Sequence, residues 1–349
     1  MTFARRSIAV AINPEASFGT RRDVGAKVVE RLRAAGHEVV GLVAPNAQAL
    51  SVRVEKALAA GADSLVVVGG DGMVSLGLNL VAGTDIPLGV IPSGTGNDAA
   101  RGLGLPVADA DDAINRLISA LERTPRRVDA GRIRQSGQKI QNSQTGQNSQ
   151  NSQTGQNSQT GQTGQTDQNS QTGQSGQTGQ TGQTGSTTWF FGAVSAGFDA
   201  VVNERANGMT RPRGRHRYTL AILRELATLK SKRFELEIDG IVSEVDALLI
   251  SVANNRSIGG GMMIAPEADL EDGFLDLFVV TPMSRLAFLR LFPKVFSGSH
   301  VGLPVVRLTR VTSVALACGS GAVAYADGER VGPLPVHVDV VPGALLVLI

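Results

Sequence analysis

Cysteine is nearly missing from this chain. Cys318 stands alone, so no intrachain disulfide framework can form, and the composition fits a reducing cytoplasm. It lies in the apolar run VALAC and reads as a small buried hydrophobe. Histidine is also scarce: His37, His216, His300 and His337 are scattered, with no HExxH and no Cys/His zinc spacing. A histidine general base or a zinc centre is therefore not expected. No run of about 18 apolar residues occurs, so no membrane-spanning helix is expected. Arg5-Arg6 before SIAVAI resembles the start of an export signal, but Asn13-Pro14-Glu15 breaks the run too soon. The segment reads better as a buried first strand. Charged residues make up 18% of the chain and the net charge is +2, so the charge excess of a nucleic-acid binder is absent. The P-loop GxxxxGK[ST], a GxGxxG opening a helix and the GxSxG elbow are missing as well.

What is present is an apolar fraction of 42% in 349 residues, enough for two ordinary domains with a sizeable core. Residues 134–187 interrupt it with QNSQTGQ and then QTG units. That tract has almost no apolar side chains to offset the entropy of ordering, and reads as a disordered insertion. Residues 1–133 alternate strands and helices. Strands are expected at Ser7–Ile12, Glu38–Val43, Ser64–Val68 and Leu88–Ile91, and helices at Arg21–Ala35, Ala47–Ala60 and Val74–Val81. Continuously apolar strands alternating with helices predict a parallel sheet covered on both faces. Residues 188–349 change character. Strands are expected at Trp189–Val194, Phe234–Ile238, Val245–Ala253, Leu275–Val280, Val305–Thr309, Ser313–Ala317, Val336–Val340 and Leu345–Ile349. Helices are expected only near Tyr218–Leu229 and Ser284–Val295, which predicts a β-rich sandwich.

Two glycine-rich turns follow strands of the first domain: GGDGM at Gly69–Met73 and PSGTGND at Pro92–Asp98. In an open α/β sheet the carboxyl ends of strands form the ligand crevice, and glycines let backbone N–H groups approach phosphate. Asp71 between glycines suits a phosphate-bound metal. Each turn alone would equally fit a plain tight turn, which the same residues favour. Late in the chain, ADGE at Ala326–Glu329 could be a hairpin turn or a source of carboxylates.

Taken in order, these pieces resemble the catalytic domain of diacylglycerol and sphingosine kinases. The family pattern is GGDGT followed by P-x-GTGNDFAR; here it reads GGDGM, then PSGTGNDAARGLGLP. Asn13-Pro14, SAGFDAVV at Ser195–Val202, APEADLEDGFLDL at Ala265–Leu277 and ADGE extend the match over all but the tract. The resemblance implies an α/β nucleotide-binding domain like that of NAD kinases and phosphofructokinases, followed by a β-rich sandwich, with ATP held in the cleft between them. It implies nucleotide contacts from Asn13, Pro14, Gly69, Gly70, Asp71, Gly72, Thr95 and Asn97. It implies catalytic roles for Asp71 and for Glu329, the base toward a lipid hydroxyl, with Asp327 beside it. A structural Mg²⁺ ion is implied at Asp272, with nearby backbone carbonyls. Met73 stands where the family has Thr, and Ser17-Phe18-Gly19 is a loose version of its first loop.

The activity so implied is ATP-dependent phosphorylation of a lipid hydroxyl, diacylglycerol to phosphatidic acid. The alternatives are a sphingoid-base, ceramide or other lipid-alcohol kinase, or a degenerate nucleotide-binding regulator. The expected setting is the cytoplasm, with peripheral contact at the inner face of the membrane, no nucleic-acid partner, and a homodimer left open. Two segments bear on that contact. Arg205–Arg217 concentrates positive charge and reads as a solvated loop or a headgroup contact. Arg285–Phe296 is amphipathic; Pro293 and the flanking strands favour a core helix over a bilayer contact.

Overall fold

The structure is a computed structural model that describes residues 5–13, 24–135, 187–209, 220–221, 224–226, 229–319 and 322–349. Pro14, Ser17-Phe18-Gly19, almost all of the tract, and the TRPRGRHR part of the basic segment lie outside the described residues.

The first sheet begins as expected. Strands β1 (Ser7–Ile12), β2 (Glu38–Val43), β3 (Ser64–Gly69) and β4 (Leu88–Pro92) run parallel in the order β2-β1-β3-β4. Every residue of β3 and β4 is buried, which is why these runs carry no polar alternation. Helices α1 (Val24–Ala34), α2 (Ala47–Ala59) and α3 (Asp71–Val81) connect them. Two short-range features escape the sequence reading: α4 (Asp98–Gly102) and the amphipathic α5 (Ala110–Leu121), capped by Asp109 accepting from the Asp111 N–H at 2.7 Å. Val28 and Leu32 of α1 meet Ile114 and Leu117 of α5 on one face of the sheet. Leu50, Val54, Val74 and Leu78 of α2 and α3 cover the other.

The tract does not divide this sheet. Strand β5 (Arg126–Gln135) pairs antiparallel with β6 (Thr187–Phe190), Arg134 opposite Thr187, so the described residues on either side of 136–186 lie side by side in one sheet. The expected strand Trp189–Val194 is in fact two, since β7 (Ala193–Gly197) joins the other sheet. After α6 (Phe198–Gly208), which the sequence reading lacks, come β8 (Lys232–Ile238), β9 (Ile241–Ala247), β10 (Leu249–Ala253), β11 (Leu275–Val280), α7 (Arg285–Ser297), β12 (Val306–Val311), β13 (Ser313–Cys318), β14 (Val323–Ala326), β15 (Glu329–Pro333) and β16 (Val336–Leu348). The expected strand Val245–Ala253 is broken at Leu248, where the chain changes sheets. Of the helix expected near Tyr218–Leu229, the described helical residues are 220–221 and 224–226.

The two last expected strands are one. In β16, Pro342-Gly343 marks a register shift rather than a break. Its first half pairs with β13, its last residues pair parallel with β4, and its other edge pairs with β5. The chain thus returns to the first domain and completes a ten-stranded sheet. The second sheet, β12-β11-β10-β7-β14-β15, is antiparallel. Between the sheets lie Phe190, Phe234, Ile250, Leu277, Val314 and Val338, the core of the sandwich. The fold is an α/β domain followed by a β-rich sandwich.

Candidate functional site

The two glycine-rich turns sit side by side at the carboxyl ends of β3 and β4. A Cβ on Gly94 would lie 2.4 Å from the Gly70 Cα, so only glycine permits this backbone-to-backbone contact. The Ser93 N–H donates to the Gly69 carbonyl at 2.8 Å and continues the pairing past the strand ends. Asn97 takes a left-handed conformation (φ 56°). Its Oδ1 accepts from the Gly94 N–H and its Nδ2 donates to the Gly94 carbonyl, both at 3.0 Å. Its side chain therefore closes the turn on itself. Thr95 is exposed beyond it, and Gly72 faces open space. Asn13, at the end of β1, packs within 3.5 Å of where a Gly69 side chain would start.

Helix α3 begins at Asp71, three residues earlier than its apolar spacing suggests, with Gly70 as N-cap. Asp71 Oδ1 accepts from the Ala99 N–H at 3.0 Å, and its Oδ2 sits beside Gly96. Burial raises its pKa from the ordinary value; the Ala99 N–H opposes this and the Asp98 charge adds to it. Met73, next along, is buried and lies over Gly69. The residue that replaces the family's Thr is thus part of the core, not of the turn surface.

Asp98 is the residue that sequence reasoning left out. It is 5% exposed. It accepts from the Ser257 hydroxyl (2.9 Å), the Gly260 and Gly261 N–H groups (2.5 and 2.8 Å) and Arg101 (3.0 Å). Asn255 Nδ2 donates to the Asp98 carbonyl at 3.1 Å. The start of α4 is thereby tied to the loop that follows β10 in the second domain. Asn254 makes a parallel tie, donating to the carbonyls of Asp129 and Phe191 at 3.2 and 3.1 Å. The available signal was ANNRSIGGGM: two asparagines and a glycine run directly after a strand.

ADGE is a hairpin turn. Asp327 and Gly328 have φ of 49° and 84°, with Ala326 paired to Glu329, the pattern of a two-residue type I′ connection. The side chains of Asp327 and Glu329 therefore diverge. Asp327 turns inward and accepts from the N–H groups of Phe191 (2.8 Å), Gly192 (2.8 Å) and Ala193 (3.1 Å). Burial pushes its pKa up to about 6, with the Asp71 charge adding to the rise and the three amides opposing it. That coupling puts Asp71 and the hairpin tip within electrostatic reach of each other. Glu329, exposed at the first position of β15, makes none of those bonds.

Asp272 lies apart from this group. Its Oδ1 accepts from the Phe274 N–H (3.0 Å) and its Oδ2 pairs with Arg310 (2.9 Å). A divalent cation there would have to displace a guanidinium, and among the described residues no group of three or more His, Cys, Asp or Glu is placed to hold a metal. Asp272 Oδ2 is thus engaged by Arg310, with which an ion held by Asp272 and nearby backbone carbonyls would compete. The loop is held by Asp129, which accepts from the Gly273 and Gly343 N–H groups at 2.7 and 2.8 Å. No helix among the described residues is long and apolar enough to cross a membrane.

Comparison with known proteins agrees with this layout. Residues 7–133 match the diacylglycerol kinase catalytic domain, and residues 192–349 match the YegS C-terminal NAD kinase beta sandwich-like domain. A diacylglycerol kinase of Mycobacterium tuberculosis (strain ATCC 25618 / H37Rv) is 36% identical over 337 residues, covering 96% of this chain and 93% of its own. One from Bacillus subtilis (strain 168) is 24% identical, covering 89% and 85%. The crystal structure of a diacylglycerol kinase from Bacillus anthracis str. Sterne superposes with a TM-score of 0.62 at 18% identity, over 100% of this chain and 97% of that one, which speaks to the fold alone. With the glycine turns, the ADGE hairpin and the returning β16 on one scaffold, this chain belongs to the diacylglycerol kinase family.

Proposed function

We propose that the chain transfers the γ-phosphoryl group of ATP to a lipid hydroxyl, with diacylglycerol as acceptor and phosphatidate as product. The observation that carries the reading is the contact of Gly70 with Gly94 beneath Asp71, within electrostatic reach of the ADGE turn. Two glycine turns in backbone contact leave N–H groups and open space for phosphate oxygens, as at Gly72. Phosphoryl transfer asks little covalent chemistry of a protein beyond positioning and charge. Glu329 accepts the proton of the attacking hydroxyl as the new O–P bond forms and the bond to the β,γ-bridging oxygen breaks, releasing ADP. Asp327 does not share that task, since its two oxygens receive three amide donors; it fixes the turn from which Glu329 projects. Asp71 would be the carboxylate to hold a nucleotide-bound magnesium, which would supply positive charge against the phosphates. No step is assigned to a metal at Asp272.

Radiolabelled ATP offered with a panel of lipid alcohols in mixed micelles tests this. Labelled phosphatidate from diacylglycerol, above product from sphingoid bases, ceramide or polyprenol, is the expected result. Absence of transfer to every lipid, with ATP still bound, would leave only the fold.

A further inference from the structure

Helix α7 carries more apolar surface than the core uses. Phe288, Leu291 and Val295 are buried against Ile264, Phe278 and neighbouring core residues. On another side of the same helix Leu286, Leu289 and Phe296 are 57%, 47% and 49% exposed. With the exposed Pro293 they recur at steps of three, four and three, which makes one continuous stripe along the helix. Arg285, Arg290 and Lys294 are exposed around it. From Thr281 to Thr312 the sequence contains five basic residues and no acid.

We propose that this outer face of α7 is a docking surface for an anionic lipid bilayer. An apolar stripe with basic flanks is the pattern of a helix lying in the headgroup region. Self-association through the same face would bring those cations against their copies, with no acid of the Thr281–Thr312 segment to oppose them. The surface is also joined to the site. The Met263 N–H donates to the Val295 carbonyl at 2.9 Å, and Gly298, which ends α7, packs on Pro266. The loop so anchored is the one whose Gly260 and Gly261 bind Asp98. The inference rests on the lipid-acceptor reading for the identity of the partner. It is tested without ATP, so the two can fail separately.

Cosedimentation of the full chain with phosphatidylcholine vesicles, with and without phosphatidylglycerol, is the measurement. Binding is expected to the anionic vesicles and to weaken with salt. Replacing Arg285, Arg290 and Lys294 together by Gln should lower the partition coefficient about fivefold per residue. Leu286→Ser, Leu289→Ser and Phe296→Ser together should lower it at least about tenfold, while phosphorylation of a short-chain, water-soluble diacylglycerol stays unchanged. Should that triple variant misfold, Leu286→Ser alone, the most exposed site of the three, carries the test. Failure of the wild-type protein to bind anionic vesicles, or equal binding by both variants, overturns the proposal. So does a wild-type dimer that the apolar variant turns into a monomer, because the face would then be a self-interface. Vesicle binding without any lipid phosphorylation would instead overturn the kinase reading and leave the docking surface standing.

Discussion

The divergence of Asp327 and Glu329 predicts two variants with opposite phenotypes. Glu329 is exposed and makes none of the bonds that hold the turn, so Glu329→Gln should alter stability by no more than about 0.5 kcal/mol. As the base, it should lower the maximal rate at least about a hundredfold, with ATP affinity little changed. Asp327→Asn should do the reverse. The carboxylate accepts from three backbone N–H groups. An amide has one acceptor oxygen and must turn its NH₂ toward at least one of those donors. An N–H left unpaired at a shielded site costs about 1–3 kcal/mol. Relief of burying a charge near Asp71 offsets much of it near neutral pH, so the net loss there should be at most about 1 kcal/mol and should be larger near pH 4–5, where the wild-type carboxyl is protonated. Its rate should fall less than that of the Glu329 variant.

The pH dependence adds an independent check. Asp327 has its folded pKa raised to about 6, above the unfolded value of 3.8. Its contribution to stability is therefore complete below about pH 4 and is lost as pH rises through 6. Denaturant midpoints of the wild type measured from pH 4 to 7 should show that loss, and Asp327→Asn should flatten it. Paired denaturation curves and initial rates on micellar diacylglycerol decide the matter. If Asp327→Asn is stable but a hundredfold slower, or Glu329→Gln loses ATP binding while keeping its maximal rate, the division of labour is wrong.

Asp71→Asn should abolish transfer and leave the fold intact, since an amide oxygen can still accept from the Ala99 N–H; near-normal turnover would remove Asp71 from the site. Gly94→Ala forces a methyl to within 2.4 Å of the Gly70 Cα, so the turns must separate; ATP affinity measured by calorimetry should drop sharply, with about 1–3 kcal/mol lost in stability. Asp98→Ala strands the Ser257, Gly260 and Gly261 donors and the Arg101 cation, and should cost about 3 kcal/mol by urea denaturation. Replacing 138–185 by a short turn should leave activity unchanged and raise stability by up to about 2 kcal/mol, because a shorter loop closes with less entropy loss; loss of folding would show that the tract is structural.

The parallel half of the first sheet was legible because its strands are apolar without interruption and its turns are glycine-rich, signals confined to a few neighbouring residues. What was not legible depends on residues far apart. Asp98 stands in the most recognisable motif of the chain, yet its partners Ser257, Gly260 and Gly261 lie about 160 positions away, in a loop whose local marks, two asparagines and a glycine run, do not name the residue they serve. Strand β16 was read as two because Pro342-Gly343 has the composition of a turn. Only continuous pairing with β5 on both sides of the shift, with β13 and then β4 along the opposite edge, makes it a bulge. Asp272 shows the converse. ADLEDG resembles a metal loop locally, and nothing in those six residues shows that Arg310 of β12 pairs with the carboxylate. ADGE shows why local and long-range readings need not compete. A hairpin turn and a catalytic motif looked like alternatives when only the four residues were visible. The turn's two positive φ angles send Asp327 inward to the amides after β6 and leave Glu329 outward at the head of β15. The feature that argued for a plain turn is thus the one that frees a single carboxylate for chemistry.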